Sequence, residues 1–246
     1  MKNVWAASLL CLGLLLAPAR AADAPESAKP ITVAPTTPSL TDAEKQAGWK
    51  LLFDGSTTTG WRGLGRDDFP SELWEIKAGC LHSRGGKKNF DLVHVDMHEN
   101  FELSWEWMIP KLKGNSGVKY RVQETKGKFF AFGCEYQMMY DPGVEGKDAT
   151  ASLYDVLPPT GKKLMPLGEF NQSRILVQGN HVEHWLNGVK TVEFEFWSDS
   201  FKEAVAKSKF AKSAVWAKEP KSFIALQAHG DEVWFRNIKL RDLPAK

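Results

Sequence analysis

Apolar and polar side chains alternate in three consecutive segments near the middle of the chain. The segments are FELSWEWMIP at 101–110, KGNSGVKYRVQ at 113–123 and FGCEYQM at 132–138. A two-residue period predicts β-strands that bury one face. The other face of these strands carries mostly charged and amide side chains: Glu102, Ser104, Glu106, Lys119, Arg121, Glu135 and Gln137. Burying such groups costs free energy unless they are satisfied, so the pattern indicates either a binding cleft or an ordinary solvated sheet face.

The rest of the chain also predicts mainly strands. Helical periodicity is limited to residues 41–50, where Thr41 and Glu44 form a capping box, and to residues 200–209. The predicted strands, each short and bounded by Gly, Asn, Asp or Pro, are 51–53, 74–77, 79–82, 101–109, 118–122, 134–139, 174–178, 181–186, 191–195, 223–229 and 233–240. The sequence therefore predicts an all-β sandwich of two antiparallel sheets with one or two short helices.

Turns and tryptophans refine this picture. Gly179-Asn180 and Asn187-Gly188 predict tight turns of an antiparallel meander. A curved sandwich has one concave sheet where polar side chains can converge on a ligand, and indole rings stack on the flat faces of sugars. Trp105 and Trp107 share the apolar face of their strand and are predicted core residues. The candidate stacking residues lie in loop-like surroundings and are Trp61, Trp197 and Trp216.

The N-terminal segment of the chain predicts export. Residues 1–21 combine Lys2, an apolar run and a small-residue cleavage pattern, which predicts a signal peptide and a periplasmic or secreted protein. Residues 22–44 are rich in Pro and Ala and predict a linker, and residues 45–246 are long enough for one β-sandwich domain. No later run is long and apolar enough to predict a transmembrane segment in the mature chain.

Charge and cysteine content limit the classes of partner. The net charge is +2 with the charges well mixed, which argues against a nucleic-acid partner. Cys80 and Cys134 remain after removal of the signal peptide, and the sequence leaves open whether they form a disulfide or are buried thiols.

No metal-binding or dinucleotide motif occurs. We therefore predict no cofactor, and the sequence leaves a divalent metal requirement open.

Five ordered motifs resemble the 3-keto-disaccharide hydrolase family, which is built on the concanavalin A-like lectin/glucanase jelly roll. They are WKLLFDGSTTTGW at 49–61, NSGVKYR at 115–121, CEYQMMYDP at 134–142, GEFNQSRILVQGNHVEHWLNG at 168–188 and LQAHGDEVWFRNIKLRDL at 226–243. One departure is Phe170, where the family usually has Trp. The resemblance implies an exported carbohydrate-active protein with a glycoside or disaccharide as its partner, and activity on 3-keto glycosides is known for some members.

The chemistry of such a substrate predicts roles for the polar residues. A ketone at C3 of a sugar acidifies the C2 hydrogen, so cleavage needs a base, a cation near the C3 oxygen and an acid for the leaving oxygen. Glu135 or His229 is the candidate base, with Arg121 and Lys119 near the oxyanion. Residues that bind or enclose the substrate are predicted to be Asn115, Gln137, Gln227, Asp141 and Tyr154.

Two alternatives stay open at this stage. Glu106 and Glu135 on neighbouring strands would suit an ordinary hydrolytic glycosidase, which uses two carboxylates, although the glucanase motif E-x-D-x-x-E is absent. The same sandwich also serves non-catalytic glycan-binding modules, since fold does not fix function.

Overall fold

Two antiparallel sheets form the fold. The structure is a computed structural model that describes residues 1, 32–87, 90–124, 128 and 131–245. In these ranges the helices are α1 Asp42–Gln46 and α2 Asp199–Ala206, and the strands are β1 Lys50–Leu51, β2 Trp61–Gly63, β3 Trp74–Lys77, β4 Cys80–Ser83, β5 Leu92–His94, β6 Phe101–Met108, β7 Asn115–Gln123, β8 Phe132–Met139, β9 Asn171–Gln178, β10 His181–Leu186, β11 Val189–Glu195, β12 Phe223–Leu226 and β13 Val233–Asp242.

The strand order gives a large and a small sheet. The eight-stranded sheet runs β11-β10-β9-β6-β13-β4-β3, with β1 also paired to β13, and the five-stranded sheet runs β2-β5-β12-β7-β8. The predicted concanavalin A-like jelly roll is confirmed, as is the β9–β10–β11 meander with its two tight turns. The sequence missed β2 and β5 because three residues are too few to show a period.

Aromatic residues fill the space between the sheets. Trp105 and Trp107 are buried as predicted. Trp61 and Trp216 are also buried, donating their indole N–H groups to the carbonyls of Leu52 and Gly133, so the prediction that they form a stacking platform is wrong. A buried indole packs well when its N–H finds a backbone acceptor, whatever the local structure around it. Trp197, by contrast, is 40% exposed.

The segment before α1 packs against the domain. The Thr36 N–H donates to the carbonyl of Ala78, and the Thr36 carbonyl passes so close to Gly79 that a Cβ there would lie 1.9 Å from it. Glu44 in α1 forms an ion pair with Lys239, and the predicted capping box is present. Residues 32–44, which belong to the predicted linker, therefore contact the domain at Thr36 and Glu44. The predicted signal peptide beyond Met1 and linker residues 22–31 lie outside the described residues. Among those described, no helix has the length and hydropathy needed to cross a membrane.

Cys80 and Cys134 lie in different sheets and are both free. Cys80 is in β4 and Cys134 is in β8, and each thiol is buried. Burial raises the pKa of Cys80 to about 11 and raises that of Cys134 still further above its usual range. Of the two interpretations that the sequence left open, the structure has the buried thiols.

Candidate functional site

A polar pocket of about 280 Å³ lies on the outer face of the five-stranded sheet. Its floor comes from β7, β8 and the residues after β12, because Lys119 pairs with Glu135, Gly117 pairs with Gln137, and the Gln227 N–H donates to the Gly117 carbonyl. The apolar neighbours of these residues along each strand point into the core, so the polar side chains point outward. The lining residues are Asn115, Lys119, Ala131, Phe132, Gly133, Glu135, Gln137, Tyr154, Lys209, Phe210, Gln227 and His229.

One cation and two carboxylates lie at the base of this pocket. The Lys119 Nζ is 3.4 Å from Asp91 Oδ2 and 3.7 Å from Glu135 Oε2, and it donates to the Ala131 carbonyl at 3.2 Å. The side chains of Lys119, Glu135 and Asp91 are 7%, 12% and 1% exposed, respectively. A single ammonium group therefore balances two negative charges in a largely dry setting.

The excess of negative charge over positive charge, together with burial, shifts the pKa values of Glu135 and Lys119. Burial raises the pKa of the Glu135 carboxyl, and the charge of Lys119, which is shared with Asp91, only partly opposes it. Burial alone would lower the pKa of Lys119, but the charges of Asp91 and Glu135 outweigh burial and raise it. Lys119 stays protonated, while Glu135 is a stronger base than an exposed carboxylate.

Three amide oxygens around the charged pair lack a hydrogen-bond donor. Asn115 Oδ1, Gln137 Oε1 and Gln227 Oε1 are buried and have no partner among the described residues. A buried acceptor without a donor costs about 1–3 kcal/mol, so such groups are usually satisfied by a ligand or by water. Amides both donate and accept, which matches the hydroxyl groups of a sugar.

Aromatic rings and a second lysine form the rim. The Lys209 Nζ lies 4.0 Å from the ring centroid of Tyr154 and 5.1 Å from that of Phe210. The Lys209 N–H donates to Asp155 Oδ2 at 2.6 Å, and the Tyr154 N–H donates to the Glu135 carbonyl at 3.0 Å, so the rim is tied to the floor. His229 is exposed at the pocket edge.

Arg121 does not reach the pocket, which corrects the sequence prediction. The β7–β8 register shifts between Tyr120 and Gln123, and Arg121 has a φ of 50°. This bulge turns the guanidinium toward the Ala217 carbonyl, to which Nη1 donates at 3.0 Å, and places it 3.7 Å from the ring centroid of Phe196. A β-bulge inserts a residue and so breaks the alternation on which the prediction relied.

Glu106 and Asp141 also lie elsewhere. Glu106 is in β6 of the eight-stranded sheet, where its carboxylate accepts from Arg236 and Asn237. The glycosidase alternative that paired it with Glu135 is therefore wrong, because the two carboxylates belong to different sheets. Asp141 is buried, pairs with Lys162 at 2.8 Å and accepts the Thr150 N–H, so it supports the loop after β8.

Comparison with known proteins identifies the family. Residues 48–241 match the model of the 3-keto-alpha-glucoside-1,2-lyase-like domain. The chain belongs to this family. The resemblance found in the sequence is thereby confirmed, and the matched range contains every residue of the pocket.

Relatives of the 3-keto-alpha-glucoside-1,2-lyase-like family support the same assignment. A 3-keto-disaccharide hydrolase of Bacteroides thetaiotaomicron is 33% identical over 231 residues, covering 80% of this chain and 79% of the relative. A crystal structure of a proposed glycosyl hydrolase from Parabacteroides distasonis superposes with a TM-score of 0.77 at 32% identity, covering 85% of this chain and 100% of the other. A second such structure from that organism has a TM-score of 0.59 at 26% identity, covering 79% and 99%.

Two charged residues of this family member, one behind the pocket and one on its rim, were missed by sequence reasoning. Asp91 lies just before the three-residue strand β5, and Lys209 follows α2, so neither belongs to a strand with visible alternation. A weak signal exists for Asp91, because a carboxylate directly before the apolar pair Leu92-Val93 is unusual in a chain of short buried strands. We find no sequence signal that would have placed Lys209 in the pocket.

Proposed function

We propose that the protein is an exported carbohydrate-active enzyme that cleaves 3-keto glycosides by elimination and hydration in the pocket of the five-stranded sheet. The observation that carries the proposal is the buried Lys119–Glu135 pair beneath the unpartnered amide oxygens. A base of raised pKa in a polar pocket is what removal of a carbon-bound proton requires. The names of the family and of its relatives support this substrate class.

Glu135 is the base in this proposal. Its carboxylate takes the C2 proton, and the C–H electrons form the enolate with negative charge on the C3 oxygen. The enolate then re-forms the C3 ketone, the C1–C2 double bond forms, and the C1–O bond breaks with its electrons on the leaving oxygen. His229 at the rim gives that oxygen a proton. Water adds hydroxyl to C1 and hydrogen to C2, which completes a net hydrolysis.

Two lysines have separate tasks. The Lys119 amine has three partners in the described structure, Asp91, the Ala131 carbonyl and Glu135, so it holds the base rather than the substrate. Lys209 has no carboxylate within ion-pair distance among the described residues, and it lines the pocket with its Nζ over the Tyr154 ring. Lys209 therefore takes the place beside the enolate oxygen that the sequence had given to Arg121.

The alternative is a non-catalytic glycan-binding module. The unpartnered amides and aromatic rim would serve binding equally well, but a buried carboxylate beside a shared lysine is costly for binding alone.

A turnover experiment separates these functions. Incubation with a 3-keto disaccharide in D₂O should release monosaccharides, with deuterium at C2 of the 3-keto product. Release without deuterium would favour direct hydrolysis over elimination. Binding without release would favour the glycan-binding module and overturn the proposal.

Lys209→Met should lower kcat by about 10²-fold, because it removes the cation from the developing enolate. KM should change less, since the ketone carries little charge before proton transfer. The measurement is steady-state cleavage of the same disaccharide. Lys212→Met, which removes an exposed lysine outside the pocket, is the control and should retain wild-type kcat. A variant at Lys209 with unchanged kcat would remove this residue from the mechanism.

A further inference from the structure

Asp91 is a fully buried carboxylate behind the pocket. Its side chain is 1% exposed and does not line the cavity, so it cannot contact the substrate directly. Its Oδ2 accepts the Ala131 N–H at 2.8 Å and lies 3.4 Å from the Lys119 Nζ, while its Oδ1 accepts the Ala228 N–H at 3.0 Å. One side chain thus joins the start of β5, the lysine of β7 and backbone on two sides of the pocket.

The two backbone contacts fix the pocket walls. Ala131 directly precedes Phe132, and Ala228 lies between Gln227 and His229. Hydrogen bonds from an ionised acceptor are stronger than those between neutral groups, and burial strengthens them further. Through its contact with Ala228, Asp91 therefore fixes the positions of Gln227 and His229 relative to Glu135.

The contact with Lys119 has an electrostatic effect as well. Glu135 faces charged or titratable groups from four elements: Lys119 of β7, Asp91 before β5, Lys209 after α2 and His229 after β12. Of these, Asp91 is the one carboxylate among the described residues. It competes with Glu135 for the ammonium group, which leaves Glu135 incompletely neutralised.

We propose that Asp91 is a positioning residue whose charge, shared through Lys119, sets the pH range in which Glu135 acts as the base. This inference rests on the proposed function of Glu135. It assigns Asp91 a task distinct from holding the fold together, because a neutral replacement of the same shape should change the pH dependence of the reaction.

Asp91→Asn tests this inference through the pH dependence of kcat/KM, which reports ionisation of the free enzyme. Asp91 raises the pKa of Glu135, so its neutralisation should lower that pKa. Because Glu135 works in its deprotonated form, kcat/KM falls at acid pH as Glu135 is protonated. This acid limb of the pH profile should move to lower pH in the variant. Asp141→Asn is the matched control: it is also a buried Asp that pairs with a lysine and accepts a backbone N–H. It should lose stability without moving the limb.

A double variant covers the case in which Asp91→Asn does not fold. Asp91→Asn with Lys119→Met removes a buried cation and a buried anion together, so no uncompensated charge is left between them. Glu135 then loses the cation that lowers its pKa, and the acid limb should move to higher pH. An acid limb that stays at its wild-type position in folded Asp91→Asn, or that is the same in the double variant as in Lys119→Met alone, would overturn the inference. If Glu135→Gln keeps full activity, the proposed function fails instead, so the two failures are distinguishable.

Discussion

Glu135→Gln is expected to lower kcat for cleavage of a 3-keto disaccharide by about 10²–10⁴-fold, the usual contribution of a positioned general base. Gln has nearly the same shape and keeps a hydrogen-bond acceptor near Lys119, but it cannot take the C2 proton. Exchange of the C2 hydrogen in D₂O should fall by the same factor. The measurement is single-turnover cleavage together with mass analysis of the product.

Glu106→Gln is the matched control for that variant. Glu106 is a half-buried strand carboxylate paired with Arg236, but it lies on the eight-stranded sheet. Its replacement should leave kcat within about twofold of wild type, because activity changes little when a site away from the chemistry loses one ion pair. Equal losses of kcat in the two variants would show that Glu135 has no distinct catalytic role, and the proposed mechanism would fail.

Lys119→Met is expected to cost about 3–5 kcal/mol in the free energy of unfolding, since it leaves two buried carboxylates without their cation. The methionine fills a similar volume, so the loss comes mainly from charge and not from a cavity. Urea unfolding followed by tryptophan fluorescence measures it. Lys45→Met removes a lysine whose side chain is 62% exposed from its pair with Asp42 and should cost less than about 1 kcal/mol.

The same variant should depend on pH in a defined direction. Without Lys119 the pKa of Glu135 in the folded state rises further above its unfolded value, because burial and Asp91 both act to raise it. A raised folded pKa leaves stability intact below the unfolded pKa and lowers it as the pH rises through the folded pKa. The deficit relative to wild type should therefore shrink in acid. A deficit independent of pH would indicate a packing defect and contradict the electrostatic account.

Strand alternation was enough to find the floor of the site. Lys119, Glu135 and Gln137 lie on one sheet face because a regular ladder preserves parity, and Gln227 continues the pattern just beyond β12. The fold class followed from the same periodicity, together with the turn signals at 179–180 and 187–188. Local chemistry was also informative, as the capping box of Thr41 and Glu44 shows.

Alternation failed where the backbone departs from a ladder or where two sheets are involved. Arg121 lies at a bulge, which reverses its side-chain direction. Glu106 has the expected parity, but parity gives a face and not a sheet, so it points away from the pocket. Asp91 and Lys209 come from segments without a period, and only tertiary packing brings them to Glu135. The placement of such residues depends on long-range contacts that a local pattern does not encode.

The division of the pocket into floor and rim has a consequence for its evolution. Floor residues such as Lys119 and Glu135 are locked by cross-strand pairing, whereas Tyr154, Lys209 and Phe210 come from connecting segments outside the ladder. Connections tolerate insertions and replacements far better than paired strands do. Changes at Tyr154 and Phe210 are therefore expected to alter, over evolution, which leaving groups the pocket accepts, while Lys119 and Glu135 keep their positions on the paired strands.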